Sequence, residues 1–262
     1  MIDFTLRVGI FLFILSLLFI WQCFLPRGPL LQWRQRWRHN MALLVLGALC
    51  VRLVQPLLLS FVAVLSLDVG LLDVLALPFW WSFLISILLL DCLIYWQHRL
   101  FHRIPWLWCL HRVHHSDPEL DVSSAVRFHP LEILLSLFIK ASAVWFIGIP
   151  VEAVLVFDIL LNASAMFNHT NARLPAKMES FVNRLLVTPD MHRIHHSRLS
   201  SEADSNYGFC LSIWDSLFAS RTWLASQGDE CLSIGMPNTK AYRPMSLKAL
   251  LVMPFKNFRT LP

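Results

Sequence analysis

The sequence predicts an all-α, multi-span membrane protein with a histidine-rich helical domain on its cytoplasmic side. Three observations predict it: an apolar composition, uncharged runs long enough to cross a bilayer, and histidines gathered at helical spacings. Of 262 residues, 56% are hydrophobic and 15% charged, against about 25% charged in an average soluble domain. The mean hydropathy is +0.58. This excludes a disordered chain, a coiled coil and an ordinary soluble globule. The net charge of +5 reads as Arg and Lys that orient membrane spans, and no nucleic-acid partner is expected. The six cysteines are scattered with no C-x-x-C pair, so neither a disulfide framework nor a cysteine metal site is expected.

Taken in order, Val8 to Leu25 is a run of 18 residues without a charge, about 27 Å as a helix and close to the hydrocarbon thickness. Arg7 set against Asp3, and a poor cleavage site at Pro26-Arg27-Gly28, make it a retained span rather than a secretory signal. Arg27, Arg34, Arg36 and Arg38 follow, interleaved with Trp33 and Trp37, as in an interfacial belt. A second span is expected at about 41–67 and a third at about 74–96. Asp68 and Asp73 lie between them with no basic residue, so the Arg-rich loop is cytoplasmic and the acidic loop faces out. Residues 131–167 are the last long apolar stretch, broken at Gly148-Ile149-Pro150. A helical hairpin there, crossing twice or re-entering, returns residue 168 to the side that residue 130 left. From Ser226 onward the chain is mixed, and Lys240 to Arg259 around Ala249-Leu250-Leu251-Val252 suit a tail at the membrane surface.

Ten of the eleven histidines lie between His98 and His196. They fall into His98-x3-His102, His111-x2-His114-His115 and His192-x2-His195-His196, with His129 and His169 between. Residues at i, i+3 and i+4 share a helix face, so each group can offer neighbouring imidazoles to a metal. The hairpin keeps all of them on one side of the membrane, where they can enclose two ions. Along a continued third helix, Asp91, His98 and His102 fall within about 20° of one line, with Tyr95 about 40° away. Asp91 and Tyr95 are therefore candidates to support the ligands, since a ligating histidine usually donates its other N–H to a carboxylate or carbonyl. There is no H-E-x-x-H and no E-x-x-H, as zinc proteases and carboxylate di-iron bundles would require. Ten histidines are also too many for one tetrahedral zinc.

The chemistry-bearing residues stand in ordered blocks: Asp91…Tyr95-Trp96-x-His98-Arg99-x2-His102; Pro105-x-Leu107-Trp108-x2-His111-x-Val113-His114-His115-Ser116; and Ser124-Ala125-x-Arg127-x-His129-Pro130-Leu131-Glu132. Asn168-His169-x-Asn171, Thr188-Pro189-x2-His192-Arg193-x-His195-His196, Asn206-Tyr207-Gly208 and Ile213-Trp214-Asp215-x2-Phe218 complete the series. Over roughly Leu90 to Arg221 the chain resembles the fatty acid hydroxylase / sterol desaturase superfamily of membrane histidine-rich di-iron oxygenases. The resemblance implies metal ligands at His98, His102, His111, His114, His115, His192, His195 and His196, and, at its less uniform intermediate positions, His129 and His169. Asn168, Asn171, Asp190 and Asn206 join Asp91 and Tyr95 as supporting candidates. Asp121, where many relatives have Asn, and Phe218-Ala219-Ser220, in place of Phe-Gly-Thr, depart from the pattern and bear on substrate subfamily more than on metal binding.

The resemblance further implies two iron ions (Fe2+/Fe3+) and O2-dependent hydroxylation or desaturation at an unactivated C–H bond of a lipid. No nucleotide-binding glycine fingerprint and no His-Pro-Gly-Gly is present. A separate ferredoxin, cytochrome b5 or reductase is therefore implied, docking near Arg99, Arg103 and Arg112. Residues 1–90 then form an N-terminal membrane region, 91–221 the catalytic region with its hairpin, and 222–262 the tail. The expected location is a plasma membrane in a bacterium or the endoplasmic reticulum in a eukaryote, with the site facing the cytoplasm. Two alternatives use the same histidines: a non-catalytic metal-binding or transport protein, with flux and no O2 consumption, and a di-zinc hydrolase, which runs anaerobically.

Overall fold

The computed structural model describes residues 2–64, 70–236 and 246–256. The helices are α1 (Ile2–Phe24), α2 (Trp33–Val64), α3 (Leu71–Val74), α4 (Phe79–Arg103), α5 (Pro105–His115), α6 (Pro130–Ile147), α7 (Val151–His169), α8 (Ala176–Val182), α9 (Pro189–His195), α10 (Ser200–Ala203), α11 (Ile213–Leu217) and α12 (Leu247–Val252). Short 3-10 turns lie at Val122–Val126, Asp229–Cys231 and Met253–Phe255. Among the described residues, extended pairing is limited to the isolated bridges Pro26–Ala172, Leu186–Leu211 and Ser197–Ile234.

Five helices among the described residues are long and apolar enough to cross a membrane, over Thr5–Phe24, Trp33–Leu58, Phe79–Arg103, Pro130–Ile147 and Val151–His169. Large apolar side chains on them stand outward, Leu53 at 74% exposure and Trp80 at 71%, as a lipid-facing surface requires. The last part of the expected second span, residues 65–67, lies outside the described residues. The expected third span is displaced. Val74 ends the short α3, and the long helix begins only after Pro78, whose backbone is extended. Proline fits a helix start and disfavours helix in the residue before it, so Leu77-Pro78 sets the boundary. At its other end α4 runs on through His98 and His102 to Arg103.

The hairpin over 131–167 is present as α6 and α7. Gly148 closes α6 at φ 74°, and the Gly148 and Ile149 N–H groups both donate to Val144 O. Only glycine adopts that left-handed cap without cost. The turn also packs on Gly70, where an added Cβ would meet Gly148 Cα at 2.3 Å. The two arms separate: α6 lies along α2, and α7 is packed between α1 and α4. Lys140 on α6 and Arg7 on α1 each pair with Asp158 on α7 at 2.5 Å.

At the histidine-bearing end the core changes character. Leu18, Val122, Ala125, Ala165 and Met166 pack where the 3-10 turn meets α1 and α7. Beside them lies a buried polar knot. Arg36 on α2 grips both Asp117 oxygens at 2.5 and 2.9 Å and Asp121 at 2.6 Å. Arg127 donates to Asn40 Oδ1 at 2.9 Å and to Val113 O at 3.0 Å. Arg36 is therefore not part of an interfacial belt: it is 1% exposed and ties α2 to the segment that leaves α5. Asp121 is also accounted for, because its carboxylate both pairs with Arg36 and accepts Ser123 N–H at 2.7 Å. The C-terminal segment packs on the protein, with Leu250 and Met253 buried against Leu43 and Val113.

Candidate metal centre

Local helical geometry decides where each imidazole points. His98 and His102 are one turn apart at the end of α4, with ring centroids 5.2 Å apart. His111 and His115 share one side of α5, with rings 5.0 Å apart. His114 is about 100° round from His115 and faces a different neighbour, His169 at the end of α7. On α9 the split repeats: His195 turns towards His98 and His102, while His192 and His196 turn towards His169. Two groups result: His98, His102, His111, His115 and His195 in one, and His114, His169, His192 and His196 in the other, with one ring nitrogen from each histidine of a group within 4.8 Å of the others. Each H-x2-H-H pattern thus serves both groups. The groups adjoin, since the His115 and His196 rings stack at 4.3 Å.

The hydrogen bonds set which ring nitrogens carry lone pairs. Four histidines direct Nδ1 outward: His98 donates to Tyr207 O at 2.8 Å, His169 to Ala165 O at 2.7 Å and His195 to Ser205 O at 2.7 Å, and His111 donates to Glu132 Oε1 at 2.6 Å when Glu132 is ionised. A neutral imidazole has one donor and one acceptor nitrogen, so each of these presents an Nε2 lone pair inward. His98 Nε2 then faces His111 Nε2 at 3.1 Å. His169 Nε2 faces both His114 Nε2 and His192 Nε2 at 3.1 Å. Facing lone pairs repel unless a cation lies between them. His102 Nε2, His195 Nε2 and both ring nitrogens of His115 and His196 are buried with no hydrogen-bond partner. Orphaned buried nitrogens of this kind call for an explanation, and this donor set fits nitrogen-ligated metal.

Burial keeps the imidazoles neutral. It pushes His111 down to about 3, and burial together with neighbouring histidines holds His114, His115, His192, His195 and His196 well below the ordinary value. The unfolded chain therefore binds more protons than the metal-free fold once the pH falls below about 6.5. Stability of the metal-free protein is expected to be complete above that pH and to fall progressively from about 6.5 towards 3. Unfolding midpoints measured across pH 7.5 to 4 test this. A flat profile would contradict buried neutral imidazoles.

His129 is not brought into either group. Its Nδ1 accepts Leu131 N–H at 3.2 Å as the cap of α6, and its Nε2 faces Leu251 O at 3.2 Å. Its side chain is committed to starting a helix and holding the C-terminal segment. Among the described residues, none of the six supporting candidates hydrogen-bonds an imidazole. Asp91 accepts Leu211 N–H at 3.0 Å and the Trp214 indole at 2.8 Å; two helical turns from His98, it shares a face but not a site. Tyr95 OH bonds Ser220 and Arg99. Asn168 donates to Phe209 O, Asn171 to Gly28 O, and Asn206 to Met191 O and Thr222 O. Asp190 pairs with Arg27. These residues fasten the loops around the centre.

The partners that meet the imidazoles are three backbone carbonyls and Glu132, with Asp204 Oδ1 farther off at 3.6 Å from His102 Nδ1. Carbonyls carry no residue-type signal. Glu132 does: an acid two residues into an apolar span requires a partner, and His111 is that partner. Replacing Glu132 with Gln is expected to weaken metal retention about 10- to 100-fold, the usual cost of removing a carboxylate behind a ligating histidine. Competition with a chelator measures it, and unchanged retention would rule the role out. Tyr207 O reaches His98 because Asp215 holds the Tyr207 and Gly208 N–H groups, each at 2.8 Å.

Residues 83–220 match the family described as fatty acid hydroxylase. The chain is 32% identical to human alkylglycerol monooxygenase over 139 residues, which is 53% of this chain and 30% of that protein. It is 31% identical to the ornithine lipid hydroxylase OlsE of Rhizobium tropici over 124 residues, 47% of this chain and 37% of that one. The matched region thus spans about a third of the length of these curated relatives. No solved structure matches the chain. With more than half of its length matched and its histidines gathered as described, the chain belongs to the fatty acid hydroxylase family.

Proposed function

We propose that the protein is a membrane di-iron oxygenase that inserts oxygen into a C–H bond of a lipid, drawing electrons from a separate donor. The observation that carries this reading is the pair of adjoining histidine groups with inward-facing, unpartnered ring nitrogens. One iron would be held by His98, His102, His111, His115 and His195, and the other by His114, His169, His192 and His196. Bound iron supplies the activation of O2 and the oxidising power. The chain does the rest. Tyr207 O, Glu132, Ala165 O and Ser205 O orient the ligands; Phe128, stacked on His114 at 4.5 Å, helps to exclude water; and the apolar helices offer a lipid tail a route from the bilayer.

The names of the relatives, a monooxygenase of alkylglycerols and a hydroxylase of ornithine lipids, favour oxygen insertion over desaturation. Exposed Arg34 and Arg38 beside the first two spans support a cytoplasmic centre. Arg112 is not available to an electron donor: it is buried, and its guanidinium donates to the carbonyls of Met253 and Lys256. Arg99 and Arg103 remain for that surface.

Lipid mass spectrometry of cells with and without the gene, grown under air, tests the proposal. A product 16 mass units heavier that requires O2, with about two irons per chain in the purified protein, is expected. A product lighter by 2 would indicate desaturation. Lipids unchanged by the gene while the protein carries its iron would defeat the oxygenase reading.

A further inference from the structure

A second cluster of charged side chains lies apart from the histidines, on the segment that leaves α1. Phe24, Leu25 and Leu31 there are 80%, 64% and 82% exposed, an apolar rim where the first span ends. The segment is fastened to residues 171–172 by the Pro26–Ala172 bridge, by Arg27 N–H donating to Asn171 O at 3.0 Å, and by Asn171 donating to Gly28 O at 2.8 Å. Beside it opens a cavity of about 460 Å³ lined in part by Arg27, Arg173, Arg193, Glu119 and Asp229. No histidine lines it.

The charges around this cavity are unevenly paired. Arg27 pairs with Asp190 and Asp229, and Arg173 pairs with Asp229. Glu119 is occupied at the rim, where it accepts Leu31 N–H at 3.0 Å and Gln32 N–H and Arg36 at 3.4 Å. Arg193, from the outward side of α9, makes no ion pair among the described residues. Its Nε is buried without a hydrogen-bond partner. Arg193 thus lines the cavity without an ion-pair partner of its own, while Arg27, Arg173, Asp190 and Asp229 satisfy one another. A buried donor without an acceptor is costly, and the guanidinium fork matches the oxygens of a phosphate.

We propose that this cavity binds the phosphate group of an anionic membrane lipid, with Arg193 as its principal contact and Arg27 and Arg173 at its sides. The exposed Phe24, Leu25 and Leu31 place the cavity at headgroup level, where a lipid's tails can lie along α1 while its phosphate reaches inward. The site is separate from the metal centre, so its test does not depend on catalysis.

Native mass spectrometry of the full, metal-loaded protein in detergent, titrated with dioctanoyl phosphatidic acid, dioctanoylglycerol or inorganic phosphate, decides the matter. Phosphatidic acid is expected to bind saturably, and the other two at least tenfold more weakly. Arg193→Gln is expected to weaken phosphatidic acid binding tenfold or more, with Arg193→Lys keeping part of it. Because Arg193 neighbours α9 ligands, Arg173→Gln on the exposed rim serves as a second variant and is expected to weaken binding in the same direction. Equal binding of dioctanoylglycerol would overturn the phosphate assignment, and equal binding of inorganic phosphate the lipid assignment. Unchanged binding in a folded Arg193→Gln or Arg173→Gln protein would overturn the site.

Discussion

Alanine at His195 is expected to abolish the proposed lipid oxidation and to strip metal from the protein while leaving its insertion into the membrane intact. His195 joins two elements that are far apart in the chain. Its Nδ1–H is held by Ser205 O at 2.7 Å, and its ring lies 4.5 to 4.7 Å from those of His98, His102 and His115. Its Nε2 is buried and has no other partner. Removing a carboxylate behind a ligand already costs about 10- to 100-fold, so removing the ligand itself should cost roughly 100-fold or more. His114→Ala makes the same prediction for the other group. Metal analysis and O2-dependent product formation, measured on both variants, check it. Full turnover in both would defeat the catalytic assignment.

The second large effect is expected at Arg36. Its guanidinium and the Asp117 and Asp121 side chains are fully buried, so Arg36→Ala would leave two carboxylates in the interior without their counter-charge. Breaking a buried pair from one side costs about 3–5 kcal/mol, a fall in the thermal midpoint on the order of 10 °C for a chain of this size. Arg36→Lys keeps the charge but cannot span Asp117 and Asp121 as a fork, and should fall between the two. The knot holds the turn at Val122–Val126, which follows α5, so metal retention should weaken together with stability. A thermal midpoint in Arg36→Ala within about 2 °C of the parent would show that the knot contributes little.

Much of the fold was legible because a bilayer imposes a simple rule on a sequence. Apolar runs about 20 residues long must be helices, since hydrocarbon offers no other partner for backbone polar groups. Gly148 and Pro150 broke the last run, and the hairpin turns there. Boundaries were harder. The start of α4 depended on a single proline, Pro78, within an otherwise apolar stretch. Arg36 looked like its neighbours Arg34 and Arg38 because local sequence cannot show a carboxylate pair about 80 residues away.

By itself, the sequence determined that its apolar runs are long enough to cross a membrane, that residues 131–167 turn back as a helical hairpin, and that the clustered histidines have the spacing to converge. Those properties are periodic or additive along the chain. Only the tertiary structure decided how the imidazoles divide between two groups, that His129 caps a helix instead of joining them, and that backbone carbonyls and Glu132 orient the rings. Each of these depends on the direction of a side chain relative to an element distant in the chain. A contact of that kind is set by packing in three dimensions, and residue order alone does not specify it.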